Sequence, residues 1–126
     1  METTIKIDGR EVRMRASALV PRLYRLKFGR DLIQDIGSLQ KKYLKVLSKK
    51  DDMTEEEIKE AQFSIFDLTI FENVAYIMAK HADKSISDTP EEWLDGFDMF
   101  SIYHILPEIL KLWNISARTT SVPKKK

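Results

Sequence analysis

Apolar residues along this chain keep one period for about fifteen positions and then change to another. Ile5 and Ile7 alternate with polar neighbours, Val12 and Met14 do the same, and Asp8-Gly9 stands between the two arms. Alternation at period two marks a half-buried strand, and Asp-Gly suits a type I′ turn, which needs positive φ at both central residues. Residues 3–15 are therefore predicted to form a β-hairpin. Two strands alone are marginal in water, so the apolar face must rest on another element.

From Ala16 onward the spacing is helical. Leu19, Leu23 and Leu26, with Val20 and Tyr24 beside them, predict a short helix capped by Ser17, with Pro21 in its first turn and Gly29 at its end. A second helix is predicted from Arg30-Asp31, carrying Leu32, Ile33, Ile36, Leu39, Tyr43, Leu44 and Leu47. Gly37 lies inside it at a cost of about 1 kcal/mol relative to Ala, which points to a kink or a close helix contact there. Residues 48–52 read as a loop. Thr54 and Glu57 then form a capping box for a third helix running to about His81. Between Phe63 and Ala79 its apolar residues cover most of the circumference, the mark of a central helix packed on several sides.

A polar connection over 83–88 leads to Thr89-Pro90-Glu91-Glu92, a second capping box with Pro at the first helical position. Trp93, Leu94 and Phe97 carry that helix on, and Gly96 interrupts it. Phe100 through Trp113 make a last helix, with Pro107 set to kink it or to mark a new start at Leu106. From Asn114 periodicity is lost. The fold class is thus mainly α, a compact helical domain of about five helices with an N-terminal β-hairpin. Residues 1–115 form one domain and 116–126 a flexible basic tail, with no internal repeat.

Composition agrees with a folded domain: 126 residues, 43% hydrophobic and 33% charged, enough to bury roughly two-thirds of the unfolded surface. The absence of Cys removes disulfides, thiolate metal sites and Cys nucleophiles. The fold therefore needs no oxidising compartment, so an intracellular protein is expected. No apolar run approaches the ~20 residues that span a bilayer, and the first residues lack the apolar core of a secretory signal. Charge changes the picture more. Lys plus Arg stand against Asp plus Glu as 13 to 5 over residues 1–50, 3 to 15 over 51–110 and 5 to 0 over 111–126. Sign-segregated surfaces without reactive equipment point to work by contact rather than catalysis.

Candidate chemistry is sparse. His81 and His104 stand 23 positions apart, far from the tight ligand spacing of a zinc site, with Asp83 and Glu108 as local pairing candidates. Asp95-Gly96-Phe97-Asp98 lacks the alternating ligands of a calcium loop and reads as a turn. No catalytic, cofactor or metal residue is nominated. The series Arg10, Arg13, Arg15, Arg22, Arg25, Lys27 and Arg30, interleaved with Tyr24 and Phe28, is a candidate nucleic-acid surface, though no helix-turn-helix or ribonucleoprotein pattern accompanies it. Neutralisation of the basic block by the acidic one, within a protomer or between copies, is the competing reading. Head-to-tail contact between unlike patches would build rings or open spirals. Among the aromatic residues Trp93, Phe97, Phe100, Tyr103 and Trp113, most complete the core and Trp113 is the candidate exposed anchor.

The run Phe71-Glu72-Asn73-Val74-Ala75-Tyr76-Ile77-Met78-Ala79-Lys80-His81-Ala82, then Pro90-Glu91-Glu92-Trp93-Leu94-Asp95-Gly96-Phe97, then Tyr103-His104-Ile105-Leu106-Pro107-Glu108-Ile109-Leu110-Lys111-Leu112-Trp113 and a Thr-Thr-Ser…Lys-Lys-Lys ending resemble the tail assembly chaperones of long-tailed, siphovirus-like phages and prophages of Gram-positive bacteria. The hairpin with the segment Leu23–Leu32 is similar to the start of such proteins. The resemblance implies a non-enzymatic helical protein of the bacterial host cytoplasm, absent from the mature virion. It would bind the tape measure protein and keep it soluble until tail-tube protein polymerises around it. Tail-tube protein and a longer frameshift product are the further partners implied, and the segregated charge blocks add a weak homo-oligomer. Lys124, Lys125 and Lys126 are compatible with a slippery stretch where a programmed frameshift would branch, and a solubilising basic tail is the alternative reading of the same residues. Candidate partner-binding residues are Leu110, Trp113, Arg22, Arg25 and the three terminal lysines. The alternative function is a small regulatory module that binds nucleic acid through the basic front.

Overall fold

The computed structural model describes residues 1–49 and 63–120, with the side chains of 48, 49 and 115–120 outside that description. Strands β1 (Glu2–Ile7) and β2 (Arg10–Arg15) form an antiparallel hairpin in which Ile5 faces Val12 and Ile7 faces Arg10. Asp8 at φ 54° and Gly9 at φ 78° supply the two left-handed residues of the tight turn, as the Asp-Gly pair requires. Ile5, Ile7 and Met14 are buried while their neighbours face solvent. Period-two alternation therefore decides which face of the hairpin meets the helices.

Five helices are described: α1 (Val20–Phe28), α2 (Leu32–Lys49), α3 (Ile65–Ala82), α4 (Pro90–Leu94) and α5 (Ile102–Thr120). The mainly α architecture with its N-terminal hairpin matches the sequence expectation. Helix α3 touches β2, α1, α2, α4 and α5, and β1 rests on α5. Ile70, Phe71 and the run Val74–Ala79 are buried on different sides of α3. An apolar circumference can only be satisfied by neighbours on several faces, so α3 is the spine. Its C-terminal half is the wall against which the hairpin and α1 are set.

Several boundaries differ from the sequence reading, each for a local reason. Ser17 does not cap α1. The chain makes a turn at 17–20 in which Leu19 N–H donates to Ser17 Oγ at 3.2 Å, and α1 begins at Val20 after Leu19. Gly29 closes α1 at φ 68°, its N–H donating to the Arg25 carbonyl at 2.8 Å. Asp31, not named as a cap from the sequence, caps α2 by accepting from Ile33 N–H at 3.0 Å and Gln34 N–H at 3.3 Å.

The expected single helix from Thr54 to His81 is not continuous, because Ser64 is extended (φ −76°, ψ 171°) and caps α3 anew. Ser64 and Asp67 form a reciprocal capping box: Asp67 N–H donates to Ser64 Oγ at 3.0 Å and Ser64 N–H to Asp67 Oδ2 at 2.8 Å. That box stops the helix from extending further toward the N-terminus. The Thr54–Glu57 box and most of the 48–52 loop lie outside the described residues, as do Lys124, Lys125 and Lys126.

Thr89 caps α4 and Pro90 takes its first position, as read from the sequence. The Glu92 end of that box differs, since Thr89 Oγ1 donates to Glu92 Oε1 at 3.2 Å. No new start occurs at Leu106: α5 runs as one helix from Ile102 with Pro107 inside it, and continues to Thr120, beyond Asn114. At Gly37 a Cβ would meet open space, so no close helix contact explains that glycine.

Candidate interaction surface

Three polar side chains are buried in the described structure, and each has a hydrogen-bond partner on another element or turn. Asp35 accepts from the Tyr24 hydroxyl at 2.7 Å and from Arg30 Nε at 2.8 Å and Nη2 at 2.9 Å. Burial alone would raise its pKa, but the Arg30 fork and the Tyr24 hydroxyl outweigh that and hold it below the usual carboxylate range. Burial and the same carboxylate push the Tyr24 phenol well up. Arg30 also lies over the Phe66 ring at 4.9 Å, so the cluster joins α1, α2 and α3.

Asp67 does the same at the other end of α2. Lys42 donates to it at 2.6 Å, and with Ser64 this overcomes burial and lowers its pKa. The Lys42–Asp67 pair joins the basic front to the acidic middle inside one protomer.

His81, 6% exposed, is the third. Its Nε2 lies 2.9 Å from Ser17 Oγ, a contact spanning 64 positions. Nδ1 finds no partner. Burial first, then the positive charges of Arg15 and Lys84, push the imidazole pKa down and keep the ring neutral. A Ser–His contact at this distance is the geometry of a base-activated nucleophile. Here no acid orients the far nitrogen, and Ser17 Oγ is already engaged by Leu19 N–H. The arrangement ties the turn before α1 to the end of α3. His104 pairs with the Lys6 carbonyl at 3.2 Å and Glu108 with Lys111 at 3.8 Å, while Asp83 accepts from Ser85. The local His81–Asp83 and His104–Glu108 pairs considered from the sequence do not form. No group of three His, Cys, Asp or Glu that would hold a metal occurs among the described residues. No described helix is long and apolar enough to cross a membrane.

The aromatic candidates divide. Trp93 is buried, its ring 5.9 Å from Tyr76, 5.3 Å from Phe97 and 5.4 Å from Phe100 in edge-on contacts. Arg10 covers the other side of Phe97 at 4.2 Å and donates to the Gly96 carbonyl, fastening the hairpin to the turn after α4. Asp98 N–H donates to Asp8 Oδ2 at 2.9 Å in the same place, so 95–98 is a structural turn. Tyr103 is exposed beside Phe63. Leu110 is 6% exposed and belongs to the core, and Trp113 is half-buried against it. Trp113 is therefore not the exposed anchor expected from the sequence. Arg22 and Arg25 stand exposed on α1.

The surface that does combine accessible apolar groups with charge lies between α1 and the second half of α3. A cleft of about 350 Å³ on the hairpin side is polar, lined by Arg10, Arg13, Glu92 and their neighbours. A larger one, of about 540 Å³, has Tyr76 and Ile77 as its floor, Leu23 and Leu26 as its α1 wall, and Lys27, Lys80 and Lys84 around it. Two of these lysines are fixed. Lys27 donates to the Asp88 carbonyl at 2.7 Å, and Lys80 donates to the Ile86 carbonyl and to Asp88 Oδ1 at 3.2 Å. Tyr76 donates to the Ser87 carbonyl at 2.6 Å, so the loop after α3 is held as one edge of the cleft.

Of the cleft's residues, the sequence pattern singled out only Lys27, as part of the basic series, and His81, weighed against a metal site. The Leu19–Leu23–Leu26 spacing predicted a helix but not which way its leucine face would turn. In the structure Leu26 is 71% exposed. No protein-family model matches the chain, and no curated protein or solved structure does either.

Proposed function

We propose that this protein works by binding another protein, as a tail assembly chaperone of phage or prophage origin that keeps the tape measure protein soluble while tail-tube protein polymerises around it. The observation that carries the reading is the α1–α3 surface, where exposed leucines stand between exposed cations on a helical scaffold. Such a surface suits a long helical client, which offers repeated apolar anchors and gains from many weak contacts. The sequence resemblance supplies the client's identity. Tail-tube protein and a longer frameshift product are partners proposed on the same basis, in the host cytoplasm, and further copies of this chain are proposed from its separated basic and acidic blocks.

Co-expression with the tape measure protein of the same tail gene cluster tests the proposal. The client is expected to move from the pellet to the supernatant and to be retained by a tag on this chain. A client equally insoluble with and without this chain would remove the function. A second reading, nucleic-acid binding, is favoured by the exposure of Arg22 and Arg25 on α1. It requires an affinity that falls steeply with salt and is lost on reversing Arg13, Arg22 and Arg25.

A further inference from the structure

We infer that the cleft between α1 and α3 docks an acidic amphipathic helix of a protein partner, with aliphatic side chains against Leu23, Leu26 and Ile77 and carboxylates against Lys27, Lys80 and Lys84. This deepens the binding role proposed above and rests on it for the partner's identity alone.

The charge of the cleft is the first argument. Three ammonium groups line it against a single carboxylate, Asp88, which already faces Lys80 at 3.2 Å. Lys27 and Lys80 are pinned by loop carbonyls, so their charge is held at the edge before any partner arrives. His81 lines the cleft as well, and burial with the charges of Arg15 and Lys84 lowers its pKa, which disfavours a further positive charge at the floor. An anion meets fixed positive charge there, and a cation meets repulsion.

The second argument is shape. A volume of about 540 Å³ is that of a small-ligand cleft, about 300–1,000 Å³, which is room for the few side chains that one face of a helix presents. The apolar wall stays accessible, with Leu26 71% exposed, and Leu19 at the N-cap of α1, 45% exposed and one turn before Leu23, adds a further apolar side chain. Leucines at 19, 23 and 26 repeat at the spacing of one helix face and match the anchors of a partner helix laid alongside. A nucleic acid brings phosphates for the lysines but no aliphatic groups for the floor and wall.

The test uses the full chain and a fluorescein-labelled peptide with leucines on one helical face and glutamates flanking them, read by anisotropy. Leu26→Asp and Lys84→Glu change exposed side chains, and circular dichroism confirms that both variants fold. Each is expected to weaken binding about tenfold, and peptides with Leu replaced by Ser or Glu by Lys are expected to bind at least tenfold less well than the parent. Affinity unchanged in both variants overturns the assignment. So does a single-stranded DNA oligonucleotide that binds more tightly than the peptide and is lost with Lys84→Glu, because the cleft then serves phosphates. Tape measure protein kept soluble by the Leu26→Asp/Lys84→Glu double variant as well as by the wild type also overturns the cleft while leaving the chaperone role standing. Peptide binding that fails in the variants, alongside a client that the wild type does not solubilise, supports the cleft and removes the chaperone role.

Discussion

Removing each member of the Tyr24–Asp35–Arg30 cluster in turn should cost stability in a definite order. Asp35 accepts three hydrogen bonds while its side chain is 7% exposed, whereas Arg30 is 41% exposed. Tyr24→Phe deletes one bond to a carboxylate that keeps its Arg30 fork, at about 1 kcal/mol. Arg30→Ala leaves a buried carboxylate with the Tyr24 hydroxyl alone. The usual cost of breaking a fully buried pair is reduced here by the guanidinium's access to water, so this loss falls between those of Tyr24→Phe and Asp35→Ala. Asp35→Ala strands the Tyr24 hydroxyl in the core and opens a small void, at about 3 kcal/mol.

The pH dependence adds an independent check. The folded Asp35 pKa lies below its ordinary value. Its contribution is therefore present above the unfolded pKa of about 3.9 and is lost as pH falls through the lower folded value. In Arg30→Ala both lowering effects of the guanidinium are gone and only the Tyr24 bond opposes burial, so the Asp35 pKa rises relative to wild type and protonation costs the variant less. The gap between Arg30→Ala and wild type should narrow from pH 7 to pH 3. Urea unfolding followed by circular dichroism at the two pH values measures all of this. A Tyr24→Phe loss equal to or above that of Asp35→Ala, or a gap that widens in acid, would refute the reasoning.

Three other outcomes are expected. Gly37→Ala should raise stability by about 0.5–1 kcal/mol in the same assay, because the position is a helix interior with open space around the added Cβ. Ser64→Ala should lower it by about 1 kcal/mol, and hydrogen exchange should quicken over the first turn of α3, where the capping box is lost. Stability should fall as pH drops from above the ordinary histidine pKa to below it, because the unfolded chain takes up a proton that buried His81 resists. His81→Leu should flatten that part of the profile, and an unchanged slope would place the proton uptake elsewhere.

Much of the fold is set by neighbours in sequence. The Asp8-Gly9 turn, the Gly29 stop and the Thr89-Pro90 start were legible because each depends on φ preferences or hydrogen bonds within a few residues. The apolar circumference of 63–79 fixed α3 as the central element, since no exposed helix tolerates that composition. Where two local signals compete, the sequence by itself does not choose. Ser64 and Asp67 form the box that starts α3, and Lys42 from α2 secures that Asp67.

Tertiary structure decided what periodicity cannot carry, namely which faces meet. Leu23 and Leu26 share α1 with the buried Val20 and Tyr24, yet their own face lines the cleft, while Leu110 and Trp113, nominated for partner contact, pack into or against the core. The Ser17–His81 contact and the Lys27–Asp88 bond join residues more than sixty positions apart. Burial and charge at those places follow from helices packing across α3, and no window along the chain contains both partners.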